Sequence, residues 1–106
     1  MIVEELQKMF GGRLVAYIAG VTEARRLRDW ITGSHVPRGD VEERLRLALH
    51  VARMIATRDG NEVARAWFVG LNPYLDDDSA AWLLREKDVV EVGKPILSAA
   101  RAFLQE

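Results

Sequence analysis

"DVEERLRLALHVARMIATR", residues 40–58, is the stretch on which the fold turns. Asp40 followed three residues later by Glu43 has the spacing of a capping box that opens a helix. Behind it Val41, Leu45, Ala48, Leu49, Ala52, Ile55 and Ala56 recur at intervals of three and four, the period of one buried helical face. The segments on either side read the same way. A first helix from about Ile2 to Phe10 ends at Gly11-Gly12, and a short second one covers about Arg13 to Ala19 and stops at Gly20. Thr22 is placed to cap a third, which runs to about Thr32 and ends at Gly33, with Pro37 beyond it.

After residue 58, Gly60 or Asn61 opens a fifth helix that closes at Gly70. "LNPYLDDDS", residues 71–79, is the one long irregular connection, because Pro73 pushes Asn72 out of helical geometry. Ser79 or Asp78 caps a short sixth helix to about Glu86. A last helix begins within "DVVEVGKP" and carries Ile96, Ala99, Ala100 and Phe103 on one side. Pro95 is expected in its first turn, where it removes no helical hydrogen bond. No alternating apolar run is bounded by hairpin residues. The expectation is an all-α chain of about seven helices.

At 106 residues the chain has the length of one domain, long enough to bury roughly two-thirds of its unfolded surface without metals or disulfides. It contains no cysteine, which excludes disulfides and thiolate zinc sites and suits a cytoplasmic setting. The longest apolar run, "LVAYIAGV" at residues 14–21, is far short of the about 20 residues a membrane span needs. The acidic opening "MIVEELQKMF" does not read as a signal peptide.

The formal net charge is -1, with a sequence pI near 6.1, which argues against nucleic-acid binding until the charge is divided along the chain. From Arg13 to Arg53 there are eight arginines against five acids, about +3. From Met54 onward there are six basic residues against nine acidic ones, about -3. The division falls near residue 58. Residues 1–58 are therefore read as a helix-turn-helix region with a long connecting helix, and residues 59–106 as a second helical region.

"GVTEARRLRDWITGSHVP", residues 20–37, holds the densest cationic cluster. On its helix Ala24, Leu27 and Ile31 share one face, with Trp30 at the edge, so Thr22, Arg25, Arg26 and Asp29 point outward and Arg28 lies on a flank. Two short helices joined through Gly20 have helix-turn-helix proportions, and outward arginines near the second helix start reach phosphates or guanine edges. The competing reading is a solvated helix face. Asp29 on that face either reads a cytosine amino group or pairs with Arg25 or Arg26.

"LVAYIAGVTEARRLRDWITGSHVP", residues 14–37, resembles an Xre-type helix-turn-helix: a buried helix, Gly-Val at the turn, then an arginine-rich helix closing in Trp-x-x-Gly. It has one residue more between Gly20 and Trp30 than the commonest version. "AWFVGLNPYLDDDSAAWLLREKDVVEVGKPILSAARAFL", residues 66–104, resembles the ParS-like toxin-binding domain of Xre-family antitoxins. The resemblance is carried by Trp67, Asn72-Pro73-x-Leu75, the polar turn, Leu83-Leu84 and a final helix ending near Phe103. The family usually has glycine in the turn and proline before the short helix, where this chain has "DDDSAA".

The resemblance implies an antitoxin of a type II toxin-antitoxin system. Such a protein binds and neutralises a toxin, often of the NAD-consuming RES class, represses its own operon by DNA binding, and commonly dimerises. DNA contact is expected at Thr22, Arg25, Arg26 and Arg28, from their outward or flanking positions on the third helix. The resemblance assigns partner contact to Trp67, Asn72, Pro73, Tyr74, Trp82, Leu83, Arg85 and Lys87. For each tryptophan taken singly, burial competes with that role, and Asn72 is also suited to satisfying backbone groups in its own turn. The runner-up is a plain helix-turn-helix transcriptional regulator whose second half only dimerises; a third reading is an interaction module that has lost DNA binding.

No enzymatic motif is present: there is no Gly-x-Ser-x-Gly, phosphate loop or His-Glu-x-x-His. Asp76-Asp77-Asp78 lacks the alternation, glycine and terminal glutamate of a calcium loop and reads as an acidic turn. His35 and His50 stand apart, each without a second ligand at metal-binding spacing, and are expected to be solvated. The expectation is a non-enzymatic protein with no cofactor and no metal, whose partners are operator DNA and a toxin protein.

Overall fold

A computed structural model describes residues 2–106, with Ala24 described by its backbone alone, so the expected burial of the Ala24 side chain lies outside the described residues. The chain is all-α. Its helices are α1 (Ile2–Phe10), α2 (Gly12–Ala19), α3 (Ala24–Thr32), α4 (Asp40–Asp59), α5 (Asn61–Val69), α6 (Ala80–Glu86) and α7 (Val89–Leu104). A 3₁₀ turn, Pro73–Leu75, sits between α5 and α6. Among the described residues there is no strand, and no helix is long and apolar enough to cross a membrane.

The long helix α4 is the axis of the molecule, packed against α1, α2, α5 and α7. Leu45, Ala48, Leu49, Ala52 and Ile55 form the buried face expected from their spacing. Val51 and Arg44 are buried as well, because neighbours stand on more than one side of α4 and its covered stripe is wider than a single face. Phe10 of α1 meets Phe68 of α5 with ring centroids 4.9 Å apart. Packing therefore runs across the division at residue 58, and Leu6, Ile18, Leu45, Ile55, Phe68, Leu84 and Ile96 belong to one core.

Several local expectations are corrected by longer-range contacts. The capping box at Asp40 and Glu43 does not form: Gly39 precedes α4, no side chain caps it, and the Asp40 carboxylate instead accepts from Arg44 Nη2 at 2.7 Å. Thr22 does not cap α3; Glu23 occupies that position without a side-chain bond to the helix backbone, and its carboxylate accepts from Arg25 Nη2 at 3.4 Å. Trp30, expected at the edge of α3, is buried. Ser79 does cap α6, its hydroxyl accepting from the Trp82 N–H at 3.0 Å.

Pro95 lies inside α7, not in its first turn, since α7 begins at Val89 with Asp88 as its cap. The buried series Val92, Ile96, Ala99 and Ala100 carries the helix through the proline. Pro95 and Glu91, the residue whose carbonyl loses its helical partner, are both exposed, so water meets the orphaned group. Pro95→Ala is expected to stabilise the protein by about 1–2 kcal/mol, the restored helical bond offset in part by a more flexible unfolded chain. A thermal melt of the variant reads this directly, and an unchanged or lower midpoint contradicts it.

Gly20 ends α2 in the left-handed conformation at φ 76°, and a Cβ there would stand 3.2 Å from Arg44 Nη1. The turn from α2 to α3 is thus tied to α4. Arg44 Nη1 donates to the carbonyls of Ile18 and Ala19, both at 3.1 Å, covering the exposed carbonyl end of α2 with a buried cation.

Candidate nucleic-acid and partner interfaces

Leu27 and Trp30 anchor α3 against the core, at 4% and 5% exposure. That fixes what faces outward: Thr22, Arg25, Arg26 and Arg28 are all exposed. Arg25 is drawn to Glu23, whereas Arg26 and Arg28 make no ion pair among the described residues. Asp29 does not pair with either arginine. Half-buried, it lies 3.7 Å from His35 Nδ1 at the exit of the helix, an ion pair when the imidazole is protonated.

Two residues apart on a helix, Arg26 and Arg28 fall on opposite flanks. Each borders a groove. The one beyond Arg28, about 680 Å³, lies among α1, α2, α3 and α6 and also holds Arg13, Tyr17 and Arg85. The one beyond Arg26, about 630 Å³, holds Trp30, His35 and Arg38. Helix α3 is therefore a cationic ridge between two grooves that themselves carry arginines. Arg13 and Arg38 were not singled out by sequence; Arg13 stands at the start of α2, where a phosphate contact is common, but only its charge marks Arg38. The carboxyls that the fold makes more acidic belong to other helices. Arg53 hydrogen-bonds Glu5 and holds its carboxyl below the usual range, and Arg58 does the same to Asp59.

The expected partner residues divide into two groups. Trp67, Asn72, Pro73 and Tyr74 come together around a cleft of about 230 Å³ with Leu71 and Phe103. Asn72 is buried, and its side-chain oxygen accepts from the Tyr74 N–H at 3.0 Å, so it shapes the turn. Trp67 is half-buried, edge-on to Phe68 at 5.4 Å. Around this cleft Leu71 is 79% exposed and Tyr74 55%, an apolar surface of the sort that partners bury. The sequence reading did not include Leu71, although it adjoins the Asn-Pro pair.

The other group is on α6. Trp82 is partly exposed, with Lys87 Nζ 5.7 Å from its ring centroid, and Leu83 is half-buried against the core. Arg85 turns toward α2, its Nη1 donating to the Tyr17 carbonyl at 2.8 Å and its guanidinium 4.8 Å from the Tyr17 ring. It thus stands in the groove beside α3, not at the cleft of Trp67. Asp76 and Asp77 take left-handed conformations in an exposed turn, and no three His, Asp or Glu side chains among the described residues form a metal-binding group. No protein-family model, curated protein or solved structure matches the chain.

Proposed function

We propose that this chain is an antitoxin-type regulator that binds operator DNA through α3 and captures a toxin protein through its second half. The observation that carries the DNA reading is the ridge itself. Arg25, Arg26 and Arg28 are exposed on a helix held from behind by buried Leu27 and Trp30, with arginine-bearing grooves on both flanks. A short helix with outward cations, preceded by a second short helix and a glycine turn, is the form that enters a major groove. Exposed Thr22 and Arg25, at or just before its leading end, would make the phosphate or base contacts.

Capture of a protein is supported by the exposed apolar surface at Leu71 and Tyr74 beside half-buried Trp67, an aromatic anchor. The toxin is proposed to be of the RES type, on the resemblance of residues 66–104. The same surface suits a second copy of the chain, which is what favours the alternative of a plain regulator whose second half dimerises.

The DNA reading is tested by selecting binding sites from a random duplex pool and titrating the enriched duplex by gel shift. Arg25→Ala with Arg26→Ala is expected to weaken binding by about 1–3 kcal/mol per lost contact. The slope of log affinity against log salt should shrink by about 0.9 for each phosphate contact removed. Helical content should stay unchanged, since both side chains are exposed. A double variant that shifts the same duplex as well as the wild type, with the same salt slope, removes α3 as the recognition helix.

A further inference from the structure

We infer that the groove among α1, α2, α3 and α6 is a binding site for a small planar organic anion, an aromatic body carrying one carboxylate, sulfonate or phosphate group. Its volume of about 680 Å³ lies within the roughly 300–1,000 Å³ of small-molecule sites. Ala16, Leu27 and the ring of Tyr17 supply an apolar wall, and Arg13, Arg28 and Arg85 converge on it from three different helices. No aspartate or glutamate lines the groove among the described residues.

Arg85 also lies 3.3 Å from Glu86, which stands outside the groove, so it is Arg13 and Arg28 that differ from the paired arginines of the chain. Arg44 lies 2.7 Å from Asp40, Arg46 2.8 Å from Glu42 and Arg58 2.6 Å from Asp59, and Arg53 is paired with Glu5. Arg13 and Arg28 have no carboxylate partner among the described residues. In a protein of net charge -1, two unneutralised guanidinium groups beside an apolar wall leave a local excess of positive charge that an anion would relieve. Arg85 is fixed in place by the Tyr17 carbonyl and ring, so binding pays little to order it.

A phosphodiester strand would use the cations and leave the apolar wall unused. A small aromatic anion uses both, with its body against Tyr17 and its charge toward Arg13 and Arg28. Because Arg28 and Thr22 also border this groove, such a ligand would contend with DNA for them; the binding itself does not depend on the DNA reading.

The probes are 2-naphthoate and its uncharged amide, 2-naphthamide, added to the full chain while backbone amide resonances are followed. Naphthoate should shift Ala16, Tyr17 and Thr22 saturably, with naphthamide at least about tenfold weaker, as expected for loss of a charge-assisted contact. Arg13→Gln with Arg28→Gln should bring naphthoate down to the level of the amide, while Arg38→Gln, in the other groove, should leave it unchanged. Equal affinity for acid and amide overturns the inference, as does a response confined to the cleft of Trp67. So does a groove that ignores both probes and responds only to duplex DNA, which would make it part of the nucleic-acid surface.

Discussion

Phe68→Ala is expected to cost about 3–5 kcal/mol, the usual loss when a fully buried phenylalanine becomes alanine. Phe68 has no exposed surface and lies against Phe10 at 4.9 Å and Trp67 at 5.4 Å, so truncation opens a cavity where α1 meets α5. Against a total stability of about 5–15 kcal/mol, that is a large part of the whole. The midpoint of thermal unfolding should fall by more than about 10 °C for a chain of this size. Because residues from both sides of position 58 share the rest of one core, signals from Trp30 and Trp82 should still melt together at the new midpoint. A loss under about 1 kcal/mol would mean that the two parts are not held by this contact. Leu71→Ala, at a side chain already 79% exposed, is the comparison variant and should stay within about 0.5 kcal/mol.

The second large effect is at Arg44. Its guanidinium donates to the carbonyls of Ile18 and Ala19 and to Asp40, all from a buried side chain. Arg44→Met keeps most of the apolar stem and removes the donors, leaving carbonyls at the end of α2 without them. A cost of about 2–4 kcal/mol follows from losing charge-assisted bonds at a buried position. Arg44→Lys should recover only part of it, since an ammonium cannot reproduce the planar fork that reaches α2 and Asp40 together. The loss should be local before it is global. Hydrogen exchange at the Gly20 and Val21 amides, which bond to carbonyls at the end of α2, should quicken more than exchange within α5. If the lysine variant is as stable as the wild type, the two-sided geometry of Arg44 does not matter.

How much of this was legible follows from the range of each interaction. The helix over 40–58 was readable because its apolar spacing is local, and Ser79 because a cap acts on residues three positions away. The capping box failed because Asp40 found a stronger partner in Arg44, whose burial no local pattern announces: a charged residue beside an apolar face reads as solvated. Pro95 misled for the opposite reason. Its local preference for a first turn is outweighed by the packing of Val92, Ile96, Ala99 and Ala100.

The candidate interfaces divide in the same way. Outward placement of Arg25, Arg26 and Arg28 was readable from the period of α3. Their company was not: Arg85 reaches α2 from α6, 68 residues along the chain from Tyr17, and only the tertiary packing of α2 on α6 puts it there. The cleft of Trp67, Asn72, Pro73 and Tyr74 was largely legible because those residues are close in sequence. Phe103 joins them from α7.

Neutralisation of a toxin, proposed here beside DNA binding, is open to a co-expression experiment. The gene adjacent to its own would be expressed alone and then together with this chain, while growth and cellular NAD are followed and complexes are purified. The expected result is a neighbour that stops growth and depletes NAD, relief when this chain is present, and co-purification of the two proteins. Relief should be weakened by Tyr74→Ala, at the exposed cleft, in a chain that still folds. A neighbour that is harmless and does not bind would contradict the antitoxin reading and leave a DNA-binding regulator whose second half meets a copy of itself.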